Sequence, residues 1–497
     1  MRTTSLSLLF AVITAIDALP KPAPKPVSAK ALEQCINESA LSKKAHELED
    51  LAYSTRNRNR VMGSRGHNLT IDWITSYLDK HPDYYTYEVQ PFTALYSRSE
   101  GELEVDDEDQ EADIFEYSPS GDVEANIVAV ANLGCEASDY PDGVADNIAL
   151  ISRGECEFGL KSALAGAAGA VGAIIYNDVP GPIGGGTLGP PPRPEGEYVP
   201  TVGIAMENGT AILDALDGAG SVEGEIEVES DIRNITTYNV IAETIGGDHD
   251  NVLTVGAHSD SVFDGPGMND DGSGSIGILE VAMHLAKYTT SNAVRFCWWS
   301  GEEFGLLGST AYVETLNQTA SELDKIRLYL NFDMIASPNY VYAIYDGDGS
   351  RYGIRGPPGS AQLEHFWEDW FDANNLNHTA TAFDGRSDYQ AFIDSGIPSG
   401  GLFTGADEVK TRRQVRRFGG VAGEILDQNY HTEDDDYANL NFEAFVTMTK
   451  AIAASVAEYA TSFESIPGGN AKVKREVRPR GQGEAFVVKG GRKMWKL

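Results

Sequence analysis

From about residue 238 onward, short runs of aliphatic, aromatic and β-branched residues alternate with longer stretches of helical period. "YNVIAETI", "NVLTVGAH", "AVRFCWWS", "IRLYLNFDMI" and "YVYAIYDGD" read as strands. "SGSIGILEVAMHLAKY" sets Ile276, Leu279, Met283 and Ala286 on one face and reads as a helix. "SAQLEHFWEDWFDANN" and "NFEAFVTMTKAIAASVAEYA" read the same way. Strand and helix in turn constrain this part of the chain to an α/β layer, a mixed, largely parallel sheet sandwiched by helices. In such a sheet ligands bind outside the carboxyl ends of the strands, so the residues that follow each strand decide the chemistry.

The rest of the chain divides around that layer. With 497 residues the chain is too long for one ordinary core. "LSKKAHELEDLAYS" and "NLTIDWITSYLDKH" read as helices and "YYTYEVQPF" as a strand, so residues 19–120 supply an N-terminal part of the same domain, with room for a short pro-segment at its start. The acidic run "EGELEVDDEDQEAD" over 100–113 reads as a solvated loop that marks a boundary. Residues 121–230 are rich in Gly, Ala, Val and Ile ("NIVAVAN", "ALAGAAGAVGAIIYND", "VPTVGIA") and read as a small β-rich α/β domain inserted into the first. Residues 231–466 form the main domain. The basic stretch 467–497 reads as a flexible tail, with a candidate processing site at Lys474–Arg475.

Residues 1–18 read as a signal peptide: Arg2 at the positive end, an apolar run from Leu6 to Ile16 and a cleavage position at Ala18. That run is too short to span a bilayer, and no later stretch reaches the roughly 18–20 apolar residues a spanning helix needs. Secretion is therefore expected, with a vacuolar lumen as the alternative. Sequons at Asn37, Asn68, Asn208, Asn234, Asn317 and Asn377 are candidate glycosylation sites in that compartment. Of the 4 cysteines, Cys135 and Cys156 flank one compact segment and are the expected disulfide. Cys297 reads as a buried thiol, and Cys35 has no evident partner. A formal charge of -37 argues against nucleic acid and anionic membranes as partners and leaves carboxylates to spare for metal ions.

The acids cluster where the strands end. "GAHSDSVFDGPGMNDDGSG" (256–274) puts His258 at the end of a strand, Asp260 two residues on, and Asp270 and Asp271 just before a helix. One of that last pair can serve as a helix cap, which leaves the others unexplained. "AVRFCWWS" ends in Glu302 and Glu303, and "NFDMI" carries Asp333 between apolar neighbours. "QNYHTEDDD" adds His431. Of the 9 histidines, only His258 and His431 stand in such acidic clusters. His46, His81, His284, His365 and His378 fall on helices or their edges, and His67 and His249 in surface-type loops.

Two imidazoles with Asp and Glu favour zinc over calcium. The set suffices for two ions: His258, Asp333 and a shared Asp270 for one, Glu303, His431 and the same Asp270 for the other. Two Zn²⁺ against three carboxylates leave one positive charge, which a deprotonated water balances. A pair of metals about 3.5–4 Å apart activates water and polarises a carbonyl together. Glu302, beside the ligand Glu303, is free to act as general base.

Together, "HSDS…GPGMNDDGSG", "WWSGEEFGLLGS", "NFDMI", "GRSDY", "GLFTGA" and "YHTEDD" resemble the aminopeptidase Y / leucine aminopeptidase family of co-catalytic di-zinc metallopeptidases, over about 238–460. The 121–230 insertion resembles a protease-associated (PA) domain. The resemblance implies the same five ligands (His258, Asp270, Glu303, Asp333, His431), Glu302 as base and Asp260 behind His258. It adds Tyr430 as stabiliser of the oxyanion, Arg386 and Phe403 as substrate-site residues, and a cis peptide after Asp270. Tyr389 stands where some relatives have His and touches no ligand assignment. The implied activity is removal of N-terminal residues, leaning to Leu, from peptides with a free N-terminus, by a monomeric enzyme with two Zn²⁺ per chain.

A metal-free binding protein on the same fold is disfavoured, because every ligand position is filled. A carboxypeptidase or glutaminyl cyclase would need groups for which no motif is present. No H-E-x-x-H or G-x-S-x-G occurs, which leaves thermolysin-like and serine-hydrolase chemistry without support.

Overall fold

The computed structural model describes residues 25–467 except 155, together with 486–487 and 493–494. The signal-peptide reading lies outside the described residues, as does most of the tail. Within the tail, Phe486–Val487 pairs antiparallel with Lys493–Met494. The chain forms two compact units, Met1–Gln90 with Tyr238–Leu497, and Pro91–Thr237.

In the first unit four parallel strands make the centre of the sheet, in the order Ser399–Phe403, Ile326–Phe332, Asp248–His258, Asn292–Trp299. Ala343–Tyr345 runs antiparallel to Ser399–Phe403 and carries Thr379–Thr381 at its outer edge. On the other side, the end of Glu223–Thr244 runs antiparallel to Asn292–Trp299. The sheet is mixed and largely parallel, as the alternating pattern requires. Successive side chains on a strand point to opposite faces. Phe296 and Trp298 accordingly enter one core, with Leu253, Val255, Leu328 and Leu330, while Cys297 and Trp299 enter another, with Tyr312, Tyr329, Tyr389 and Phe392. This explains an apolar run with no polar alternation in "AVRFCWW": both faces of that strand are covered.

The helix Gly272–Leu285 is more buried than its one apolar stripe implies. Apart from half-buried His284, every residue is buried, because helices Glu38–Tyr53, Arg65–Leu78 and Phe442–Thr461 pack around it. Glycine and serine fill its first turns, where Phe332 O comes within 2.0 Å of the position a Cβ at Gly274 would take.

The second unit has its own sheet. Gly121–Ala129, Ile148–Ser152, Gly172–Tyr176 and Thr201–Ile204 are parallel, and Ala112–Ile114 closes the edge antiparallel. Helices Phe158–Ala167 and Met206–Ala219 belong to it, and the disulfide Cys135–Cys156 is formed. This unit reaches back to Pro91, earlier than the boundary drawn at 121. The acidic run at 100–113 is also not a loop. Leu103 and Val105 alternate with glutamates and are buried, and Leu103–Val105 pairs with Glu108–Gln110 across a two-residue turn. Asp106 and Asp107 there have φ of 50° and 62°, the twisted turn that joins hairpin strands. Charge density hid a period-two pattern.

Candidate metal centre and substrate cleft

The central strands deliver the site. Asp248–His258 ends on His258, level with Trp299 of its neighbour, and Glu302 and Glu303 follow that strand. Phe332 ends the next strand and Asp333 follows, while Phe403 ends the fourth. His431 comes from the loop before the last helix, at a φ of 59°.

Asp271 fixes this edge. It caps helix Gly272–Leu285 by accepting from Gly274 N at 2.8 Å, and it also accepts from Met334 N and His258 N, both at 3.1 Å. One carboxylate thus ties three segments together, and the capping role falls on Asp271, leaving Asp270 free. The Asp270–Asp271 peptide is cis.

Asp270 faces both histidines. Its Oδ1 is 3.0 Å from His258 Nε2 and its Oδ2 is 3.2 Å from His431 Nε2. Asp333 Oδ1 lies 3.6 Å from His258 Nε2, and Glu303 Oε2 lies 3.0 Å from His431 Nε2. Two donor triads result, His258–Asp270–Asp333 and Asp270–Glu303–His431, each with its ligand atoms within 4.8 Å of one another. Asp333 Oδ1, Glu303 Oε1 and His431 Nε2 are buried and make no aligned hydrogen bond. Two imidazoles and three carboxylates, converging with atoms left over, suit zinc.

The electrostatics point the same way. Burial pulls the His258 imidazole down, but Asp333, Asp260 and Asp270 outweigh it and hold it well above its ordinary range. His431 is raised likewise, by Glu303 and Asp270 against burial. Burial pushes Asp270 up, yet the two histidines leave it below the usual carboxylate range. Burial, then Asp333, Glu303 and Asp388, push Glu302 well up, with His258 opposing. The cluster demands positive charge.

Around the donors stands a second ring that the sequence reading assigned only in part. Asp260 lies 3.6 Å from His258 Nδ1 and accepts from Glu302 N at 3.3 Å, so it meets both the ligand triad and the candidate base. Ser387 donates to Asp333 Oδ2 at 2.6 Å and accepts from Asn331 Nδ2 at 2.7 Å. Asp435 accepts from the amides of Asn269 and Asp270. Asp388 is fully buried, and burial raises it to about 7 against the pull of His258. Ser387, Asp388 and Asp435 sit inside the quoted motifs "GRSDY" and "YHTEDD", a signal that could have found them.

Arg60 had no such signal. Fully buried, it donates to the carbonyls of Pro266 at 2.8 Å, Gly267 at 2.5 Å and Ser259, stapling the loop after His258. His67 corrects another expectation. It lies in helix Arg65–Leu78, not a surface loop, and its Nε2 meets Ser259 Oγ at 2.9 Å with the ring fully buried.

The donors open into a cleft. Asp270, Glu302, Glu303 and Asp333 form its floor, and Met334, Tyr345, Ala382, Phe403 and Ala406 give it an apolar wall. Arg386 and Tyr430 stand at its side, 3.3 Å apart through Nη2 and the hydroxyl, and Arg386 is also paired with Asp407 at 3.0 Å. The Tyr430 ring stacks on His431 at 3.8 Å. Tyr389 lies beneath, accepting from Gly385 N and donating to Asp384, so it supports the loop that carries Arg386.

Comparison with known proteins agrees with this geometry. Residues 239–456 match the model of Peptidase family M28, and 123–212 match the PA domain. Leucine aminopeptidase 2 of Arthroderma otae is 47% identical over 489 residues, 97% of each chain. A probable leucine aminopeptidase 2 of Aspergillus oryzae is 50% identical over 443 residues, 88% of each chain. Among solved structures, an aminopeptidase from Aneurinibacillus sp. strain AM-1 aligns with a TM-score of 0.72 at 25% identity, covering 88% of this chain and 98% of that one. BSAP, a zinc aminopeptidase from Bacillus subtilis, aligns at 0.63 and 25%, covering 89% and 99%. Fold, donor set and relatives define a zinc-dependent metallo-aminopeptidase. The chain belongs to peptidase family M28 and carries an inserted PA domain.

Proposed function

We propose that the protein is a secreted aminopeptidase that holds two zinc ions per chain and releases single N-terminal residues, fastest for leucine and other large apolar side chains. The observation that carries this reading is Asp270, whose two oxygens face two histidines of two separate donor triads. His258, Asp270 and Asp333 would hold one ion, and Asp270, Glu303 and His431 the other. Bound zinc supplies Lewis acidity toward water and the scissile carbonyl.

The chain's own residues supply the rest. Glu302, buried at the cleft floor, takes the proton from the attacking water and returns it to the leaving amine. Its environment raises its proton affinity, the direction a base working near neutrality needs. Asp260 orients His258. The Tyr430 hydroxyl, held by Arg386, donates to the oxyanion as it forms. Met334, Tyr345 and Phe403 receive the first side chain, and the carboxylates on the floor favour a free amine over a blocked one. Acidic side chains would enter next to Glu302, Asp384 and Glu408 and should react slowly.

Secretion is supported by the apolar leader and the disulfide, with a vacuolar lumen as the alternative. Asn68, Asn234 and Asn317 are exposed and open to glycosylation; Asn37 and Asn377 are exposed, with their amides donating to Cys35 O and Arg417 O, and Asn208 is half-buried and donates to Gln110. No described helix is long and apolar enough to cross a membrane.

Mass spectrometry of peptide digests tests the activity. Stepwise loss of single N-terminal residues, with leucine ahead of aspartate and N-acetylated peptides resistant, is expected. Release of dipeptides or cleavage of the blocked peptide would overturn it.

A further inference from the structure

A second acidic cluster lies apart from the zinc donors. Strand Ala343–Tyr345 runs into the loop Asp346-Gly347-Asp348-Gly349-Ser350, and helix Ser360–Ala373 returns Glu364 to it. Asp346, Asp348 and Glu364 each offer one oxygen, all within 4.8 Å of one another. Acids alone would make only a solvated loop, but Asp346 is fully buried. Its Oδ2 accepts from the amides of Arg351 at 3.0 Å and Tyr352 at 2.8 Å, while its Oδ1 is buried with no hydrogen-bond partner. A buried carboxylate oxygen with no donor other than the neighbouring Asp348 carboxyl, beside two further carboxylates, is costly unless a cation or a proton shared between the two acids meets it.

The loop is already shaped around that point. Asp348 Oδ1 accepts from Ser350 N at 2.7 Å, and Glu364 Oε2 accepts from Asp348 N at 3.0 Å. Gly349 has a φ of +71°, and a Cβ on Gly347 would meet Ser360 O at 2.2 Å. Each carboxylate therefore has one oxygen engaged by backbone and a second to give. The donors are all oxygen, with no imidazole or thiolate in the set, which excludes a second zinc-type site and selects a hard cation.

We propose that Asp346, Asp348 and Glu364 bind a calcium ion that is separate from the catalytic zinc. Its place in the fold gives it a role. Tyr345 and Thr381 both line the substrate cleft; Tyr345 immediately precedes Asp346, and Asp346 N donates to Thr381 O at 2.9 Å. An ion here pins the apolar wall of the cleft and takes no part in bond cleavage.

The test is isothermal titration of CaCl₂ into the zinc-saturated full chain, with thermal unfolding in parallel. One calcium per chain is expected, with an affinity in the roughly 0.1–1 mM range of extracellular calcium modules or tighter, and a rise in the unfolding midpoint. Asp348→Asn and Glu364→Gln should each weaken binding at least about tenfold, the change a lost charged ligand of ~1.4 kcal/mol produces, with zinc content unchanged. Asp348 is half-buried, so its variant remains informative if the Glu364 variant misfolds. No heat and no midpoint shift up to about 5 mM, above that range, would overturn the proposal. So would unchanged binding in either folded variant, or tighter binding of Mg²⁺ than of Ca²⁺.

Discussion

Replace Asp271 by asparagine and the catalytic edge keeps every ligand but loses part of its frame. Asp271 Oδ1 accepts from Gly274 N and Met334 N, and Oδ2 accepts from His258 N, all three buried. Asparagine can keep its one oxygen on Gly274 and Met334. Its amide then faces the His258 N–H, donor against donor. One buried donor left unsatisfied costs about 1–3 kcal/mol. Alanine leaves three such donors, about 3–9 kcal/mol by the same rule, against a whole-domain stability of about 5–15 kcal/mol. Asp271→Asn should therefore fold with a lowered urea midpoint, and Asp271→Ala should fail to accumulate. Tryptophan fluorescence at fixed free zinc reads the right unit, because Trp73, Trp298, Trp299, Trp367, Trp370 and Trp495 all lie outside Pro91–Thr237. Zinc retention against a chelator should fall in the asparagine variant, since the displaced N–H belongs to His258. An Asp271→Asn unfolding free energy within about 0.5 kcal/mol of the native one, the usual range of neutral surface changes, would refute this tie.

Two further outcomes are expected. Glu302→Gln should lose about 10²–10⁴-fold in kcat, the worth of a general base, while zinc content and unfolding midpoint stay unchanged; an active variant with full zinc would remove Glu302 from the mechanism. Burial first, with Arg60 and His258 adding and Asp260 opposing, depresses the His67 pKa to about 4, below its unfolded value. Its stabilising contribution is complete above about pH 6.5 and is lost as pH falls toward 4, on the order of 3 kcal/mol. His67→Gln should flatten the urea midpoint over that window, and an unchanged slope would contradict it.

Much of the candidate site was legible because its chemistry follows strand ends. His258 and Asp333 sit at or just after a strand end and Glu302 and Glu303 follow one closely, so periodicity together with their acid and imidazole chemistry pointed to them. The parallel sheet followed from the same alternation. What stayed hidden depends on contacts between segments distant in the chain. Nothing near Arg60 reveals that it will reach three carbonyls around Ser259–Gly267, and His67 reads as a polar residue until Ser259 is packed against it. Residues 100–113 misled for a different reason. Their glutamates face outward from a strand whose alternate positions, Leu103 and Val105, are core, and net charge outweighed period in the reading.

Buried around the zinc donors are Asp260, Asp271, Asp388, Asp427 and Asp435, none of which is placed as a ligand. Arg60 is a buried cation close to this ring, and its guanidinium hydrogen bonds go to carbonyls, so its charge acts on Asp260, Asp271, Asp435 and Asp270 only through space. One arginine does not balance so many acids. Zinc affinity and stability of this unit must then be linked, since the folded state gathers donors that the unfolded chain disperses. Ligand linkage gives the size: once free zinc exceeds both dissociation constants, each tenfold rise adds about 1.4 kcal/mol per bound ion. Two ions sharing Asp270 predict a slope near 2.7 kcal/mol per decade, and one ion half of that. Urea unfolding followed by tryptophan fluorescence over a series of buffered free-zinc concentrations measures it directly. A single-ion slope would break the shared-ligand arrangement, and a flat line would mean that the carboxylate cluster stands without metal.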